Sequence, residues 1–174
     1  MGNGRENLYL VICAADAARD VRLLVEIAQQ RGWRVWATAS PNALALFDRA
    51  ELEALTGSPV RSGWRSPTER SPFPPADAIV VAPATFNTIN KWAAGIADTL
   101  AVSVLCDHSG SGVPIAVLPH VHDAHARHPA YRESVDRLRS LGVRISRRPA
   151  HPFGAENPPF LWAEALDLLD AEHG

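Results

Sequence analysis

Asn87, Asn90, Lys91 and Asp98 recur at intervals that place them near one side of a helix turning about 100° per residue, with Ile89, Trp92, Ala93 and Ile96 on the other. One side packs. The other offers two amides, an ammonium and a carboxylate, which can orient a polar ligand. Further along, His120, His122, His125 and His128 crowd nine residues. Imidazoles change charge near neutrality, so one of them can serve as general acid or base, and His122 is the first candidate. Neutral imidazoles at such spacings could also converge on a metal, but no Cys or ordered ligand pattern accompanies them, and no metal site is assigned. Solvated loop histidines are the plain alternative.

These groups need a frame. Ala78 to Ala82 is a short, continuous apolar run, as expected of a parallel strand covered on both faces. Its C-terminal end, where the motif helix begins, is where an open α/β sheet binds small molecules. Leu8 to Cys13 reads as a first strand and Ala17 to Arg31 as a helix, with Gly32 at its C-cap. Trp33 to Thr38 reads as the second strand. Ser40-Pro41 opens another helix through Phe47, and Thr56 to Pro75 reads as a long surface loop. Leu100 to Cys106 continues the motif helix or bends away from it, and Ser109 to Gly112 turns. Pro114 to Leu118 is the next strand, Ala130 to Leu141 a helix ended by Gly142, Val143 to Ile145 a short final strand, and Phe160 to Ala171 a last helix. This alternation predicts an α/β, Rossmann-like three-layer sandwich with a parallel sheet, in one domain.

The 174 residues suffice for a sizeable core. A net charge of −2 gives no electrostatic reason to expect nucleic acid or an anionic membrane as partner, which leaves small molecules and proteins. Two cysteines, Cys13 and Cys106, are too few for a disulfide framework and fit reduced thiols in a cytoplasmic protein. The apolar run from Leu8 to Ala15 lacks a cleavage-site context and is far short of a membrane span. Glu6 stands where a myristoylation signal needs Ser or Thr. A soluble, cytoplasmic chain is expected.

The run from Pro83 to Asp98 resembles the PASANT-type motif of the homo-oligomeric flavin-containing cysteine decarboxylases. Pro83, Ala84, Asn87, Thr88, Lys91, Gly95, Ile96, Ala97 and Asp98 match, whereas Thr85 and Phe86 stand where Ser and Ala are usual. The likeness extends from the first strand to Ile145. It implies FMN, with FAD possible, at the interfaces of a homotrimer or higher homo-oligomer, and a small-molecule or peptide thiol as substrate. The implied chemistry removes a hydride equivalent from the thiol-bearing carbon of a cysteine, and the resulting thioaldehyde loses carbon dioxide.

Residue by residue, the likeness places the flavin phosphate against the first strand-to-helix turn at Ala14, Ala15 and Asp16, where first-turn N–H groups favour an anion. Thr38 and Ser40 match the hydroxyl pair used near the phosphate and ribityl chain, although Ser40 before Pro41 also reads as an ordinary helix N-cap. Pro83, Ala84, Thr85 and Asn87 complete the cofactor set. Asn87 resembles the amide that contacts flavin or substrate carboxylate; otherwise it is a first-turn helix residue. Lys91 is either catalytic or the ion-pair partner of Asp98. Trp64 in the long loop either covers the flavin or is simply exposed.

Three departures mark the chain. The family's catalytic His lies upstream of the motif strand, yet no His precedes His108, and Glu69 lies near the corresponding region. The Pro-x-Met-Asn-x-x-Met-Trp substrate clamp is here Pro119-His120-Val121-His122-Asp123-Ala124-His125-Ala126, so only Pro119 remains and His122 replaces the carboxylate-binding Asn. His151 to Pro159 holds no Cys for a reductive step. The implied enzyme is a decarboxylase-like lyase with a diverged substrate site. The alternative is a catalytically silent flavin-binding regulator or structural subunit. A flavin prenyltransferase shares the fold and ranks lower, because its Arg-Glu-containing segment is absent.

Overall fold

Alternate residues of the first strand enter two different cores, because successive side chains of a strand point to opposite faces. Leu8, Leu10 and Ile12 join one apolar cluster; Tyr9, Val11 and Cys13 join the other. The computed structural model describes residues 6–65, 73–147 and 159–171. Glu69, part of the long loop and nearly all of the segment from His151 to Pro159 lie outside the described residues.

Five strands form the sheet: β1 (Asn7–Ile12), β2 (Arg34–Ala39), β3 (Ala78–Ala84), β4 (Ile115–Pro119) and β5 (Arg144–Ile145). Their order is β2-β1-β3-β4-β5 and every pairing is parallel. Helices α1 (Arg22–Gln30), α2 (Arg49–Thr56) and α7 (Ala163–Asp170) supply Leu24, Leu52 and Leu166 to the first cluster. On the other face α3 (Phe86–Ala94), α4 (Leu100–His108) and α6 (Pro129–Ser140) supply Ile89, Trp92, Leu105 and Leu138. Between β4 and α6 lies the short helix α5 (Asp123–Arg127). The expected Rossmann-like three-layer architecture is therefore the observed one. No described helix is long and apolar enough to cross a membrane.

Several local expectations need correction. The first predicted helix is split: Ala15 opens a 3₁₀ turn, Asp16–Asp20, without a side-chain cap, and α1 follows. The predicted helix from Ser40 to Phe47 is only a 3₁₀ turn, Pro41–Ala45. The sequence reading did not anticipate α2, whose start is fixed by Asp48 accepting the Glu51 N–H at 3.0 Å and whose end is fixed by Gly57 at φ 70°. The motif helix stops at Ala94. Gly95, at φ 72°, lets its own N–H reach the Trp92 carbonyl at 3.0 Å while the Ile96 N–H reaches Lys91 at 2.8 Å, a bonding pattern that closes helices at glycine. Ile96 and Asp98 thus lie beyond the helix, and Ile96 is half exposed rather than packed. Leu100 to His108 is a separate helix, tied back to α3 where the Trp92 indole N–H donates to the Ser109 hydroxyl at 2.7 Å.

Candidate flavin site at the C-terminal edge of the sheet

Hydrogen bonding does not stop where the strands do. The Ser40 N–H donates to the Ile12 carbonyl at 2.8 Å, the Cys13 N–H to Pro83 at 3.1 Å and the His120 N–H to Ala84 at 2.8 Å. These three bonds carry the ladder one step past the strands across β2, β1, β3 and β4. They bring Ala14 and Ala15, Thr38 and Ser40, Pro83 to Asn87, and His120 to His122 to one edge. β1 sits where the chain leaves to opposite sides, toward β2 and then toward β3, the switch point at which open α/β sheets take ligands.

At the β1 end, Ala14 and Ala15 give close access to the main chain. The first N–H groups of a helical turn have no acceptor within it, so the peptides of Asp16 and Ala17 suit an anion. The Asp16 side chain is exposed, with no capping hydrogen bond found for that turn. At the β2 end Thr38 is buried, and Ser40 is half-buried and makes no side-chain cap for the turn that follows it. Thr38 also forms a parallel bridge with Arg61, whose N–H and carbonyl bond Ala37 at 3.0 Å and Ala39 at 2.7 Å. No residue pattern around Arg61 marks this added strand segment. On that face Tyr9, Thr38, Arg61, Trp64 and α4 line a cleft of about 360 Å³, and Trp64 is 61% exposed at its rim.

The motif begins at the cis Ala82–Pro83 peptide. Thr85 caps α3 by accepting the Thr88 N–H at 3.3 Å and donates its own hydroxyl to that of Thr88 at 3.1 Å. The Thr88 hydroxyl and the Thr85 N–H both bond the Cys13 sulfur, while complete burial pushes the Cys13 thiol up in pKa. Cys13 is a packed core thiol beneath the site. Asn87 is exposed on the first turn of α3, and Lys91, one turn on, pairs with Asp98. Asn90 points a buried Oδ1 that has no hydrogen-bond partner among the described residues.

The histidine segment is more ordered than a solvated loop. His122 opens α5, and its ring stacks on His125 at 3.9 Å between centroids. His125 stacks in turn on Phe86 at 4.3 Å, and Phe86 on Tyr131 at 6.0 Å. Four rings thus run from the end of β4 across the first turn of α3 to α6. His128 adds an edge to Phe86 at 5.7 Å and caps α6 by accepting the Ala130 N–H on Nδ1 at 3.1 Å. His125 is exposed, yet the partial loss of water at its ring contacts pushes its pKa down, and the neighbouring His122 and His128 push it the same way. Burial pushes Tyr131 up to about 12, with Arg139 opposing. Phe86 and Tyr131 were not anticipated as part of this region; the signal available was Phe86 itself, a bulky ring at a motif position where Ala is usual. Among the described residues no group of three or more His, Cys, Asp or Glu side chains could hold a metal ion.

The groups at this edge suit a phosphorylated cofactor with a planar head: donors in the hydroxyls of Thr38 and Ser40 and the first-turn N–H groups of Asp16 and Ala17, close access past small residues at the strand ends, and one unpartnered acceptor in the Asn90 amide oxygen on α3. A parallel five-stranded sheet of this order between helical layers defines a Rossmann-like α/β protein. The family model described as Flavoprotein matches residues 3–158, and the chain belongs to that family. The coenzyme A biosynthesis bifunctional protein CoaBC of Thermococcus kodakarensis is 31% identical over 143 residues, which is 79% of this chain and 35% of that one. The chain spans only about a third of the length of such curated relatives. Among solved structures, the FMN-dependent cysteine decarboxylase SpaF superposes with a TM-score of 0.75 at 23% identity, covering 97% of this chain and 98% of that one. The epidermin biosynthesis protein EpiD from Staphylococcus aureus gives 0.68 at 21% identity, covering 83% and 84%. These structural likenesses bear out the fold.

Proposed function

We propose that this chain binds FMN at the edge shared by β1, β2 and β3 and oxidises, with decarboxylation, a cysteine-derived or other thiol substrate. The continuous row of backbone bonds from Ser40 through Cys13 to His120 carries this reading, since it assembles phosphate-type donors and acid–base groups in one place. In it, the Thr38 and Ser40 hydroxyls and the N–H groups of Asp16 and Ala17 hold the phosphate; Asp16 contributes its peptide, not its carboxylate. Ala14, Ala15, Pro83, Ala84 and Thr85 shape the cradle. Bound flavin supplies the two-electron acceptor that no side chain provides. Asn87 orients the flavin or the substrate carboxylate, and His122 takes or returns a proton on an imidazole nitrogen. Lys91 completes the candidate set, with its ammonium shared with Asp98. The similarity to FMN-dependent SpaF favours FMN over FAD. We place the site in a homotrimer or higher homo-oligomer of single-domain subunits, in keeping with exposed Trp64, Ile96 and Leu161.

A second reading is a flavin-binding subunit without turnover. It is favoured by the absence of any His before His108 and by the ion pair that engages Lys91. The visible absorption spectrum of the purified chain, with release and identification of the chromophore, tests the cofactor first. A stoichiometric flavin supports the assignment; a chain that stays colourless after incubation with FMN and FAD overturns it. With flavin bound, carbon dioxide release from cysteine-derived substrates separates the two readings, and Asn87→Ala should abolish release while flavin is retained.

A further inference from the structure

Phe86 and His125 touch nothing that the proposed chemistry acts upon, yet they join its two halves. Phe86 is the first residue of α3, the helix that carries Asn87, and His125 belongs to α5, the helix that His122 opens. The rings meet at 4.3 Å with 24° between their planes, and His125 also meets His122 at 3.9 Å and 30°. Tyr131 closes the far end on Phe86. Stacked aromatic contacts of this kind contribute beyond the area they bury. This five-residue helix has no buried residue, and besides these rings it packs on the core through half-buried Ala126.

We propose that Phe86 and His125 are positioning residues that clamp α5 to the first turn of α3 and so fix the His122 imidazole at the end of β4. Two departures from the family motif, Phe86 and His125, then form one device, since each supplies the face on which the other stacks. The same contacts lower the His125 pKa: they remove part of the water from an exposed ring and set it beside His122 and His128. The charged and titratable neighbours do not offset this. From α6 come His128 and the neutral Tyr131, on α5 Asp123 and Arg127 pair with each other at 4.0 Å, and on α3 Lys91 is paired with Asp98.

The role of His122 rests on the preceding reading, but the clamp does not, and the test keeps them apart. Histidine-labelled whole chain is titrated by NMR as wild type, Phe86→Ala, Phe86→Tyr and His122→Gln, with the visible spectrum of each sample reporting flavin separately. Phe86→Ala should shift the His125 midpoint upward and abolish the cross-peaks between His122 and His125 ring protons, Phe86→Tyr should restore both, and His122→Gln should shift the midpoint upward alone. An unchanged midpoint together with unchanged cross-peaks in Phe86→Ala overturns the proposal. Should that variant fail to fold, Phe86→Leu, which keeps apolar bulk without a stacking ring, is read in the same way.

Discussion

Lys91 and Asp98, both inside the motif, form an ion pair across the glycine turn that ends α3. The pair is part-exposed, with side chains 29% and 46% accessible, so its energetic weight is that of a surface contact. Asp98→Asn should lower stability by less than about 1 kcal/mol in urea melts and leave flavin binding unchanged. A large loss of flavin affinity would instead place this pair in the binding site.

Beneath the motif, the Thr88 hydroxyl accepts from Thr85 and donates to Cys13 in a buried layer. Thr88→Val should therefore destabilise by about 1 kcal/mol through unsatisfied polar groups, despite its matched shape. Alkylation of the folded protein at pH 7.5, followed by peptide mapping, should leave Cys13 unmodified. Cys106, part-exposed but pushed up in pKa by burial and by Asp107, should react slowly. Rapid labelling of Cys13 would show that the β1 end opens.

Ser40 is the hydroxyl best placed to gain a new partner, since it is half-buried and caps nothing. Ser40→Ala should weaken FMN binding by roughly fivefold, the equivalent of about 1 kcal/mol for one neutral hydrogen bond, with the melting temperature nearly unchanged. Equal affinity in titration calorimetry would remove Ser40 from the cofactor set.

Because the His125 pKa is lowered in the fold, the unfolded chain takes up its proton first on acidification. Its contribution to stability is present above the ordinary histidine value of about 6.5 and is lost as pH falls through that range. The melting temperature should therefore drop more between pH 7.5 and 5.5 in the wild type than in His125→Phe, which retains a stacking ring without the charge. Parallel curves for the two proteins would contradict this.

Much of the sheet could be read directly. The apolar runs at Leu8 and Ala78 are continuous and strand-length, which marks them as strands covered on both faces, and the structure sends their alternate residues into two cores. The local turns were less legible. Asp16–Asp20 and Pro41–Ala45 carry helix-opening residues but close in i→i+3 fashion, and nothing in residue type distinguishes that from a full helix. α2 did leave a trace, Asp48 with Glu51 three residues on and Gly57 beyond, obscured because Thr56 to Pro75 reads as a loop by composition. At the site, one-letter matches located Asn87 and the strand ends, but the stack of His122 and His125 on Phe86 depends on contact between segments about 40 residues apart, which no local spacing reveals.

The three hydrogen bonds that tie Ser40, Cys13 and His120 to their neighbouring strands involve main-chain atoms only. A change of side chain at Thr85, Phe86, His120 or His122 leaves these ties in place. The mouth of this protein is thus a fixed frame with interchangeable fittings: the main chain sets the edge, and the side chains on it can change without moving it.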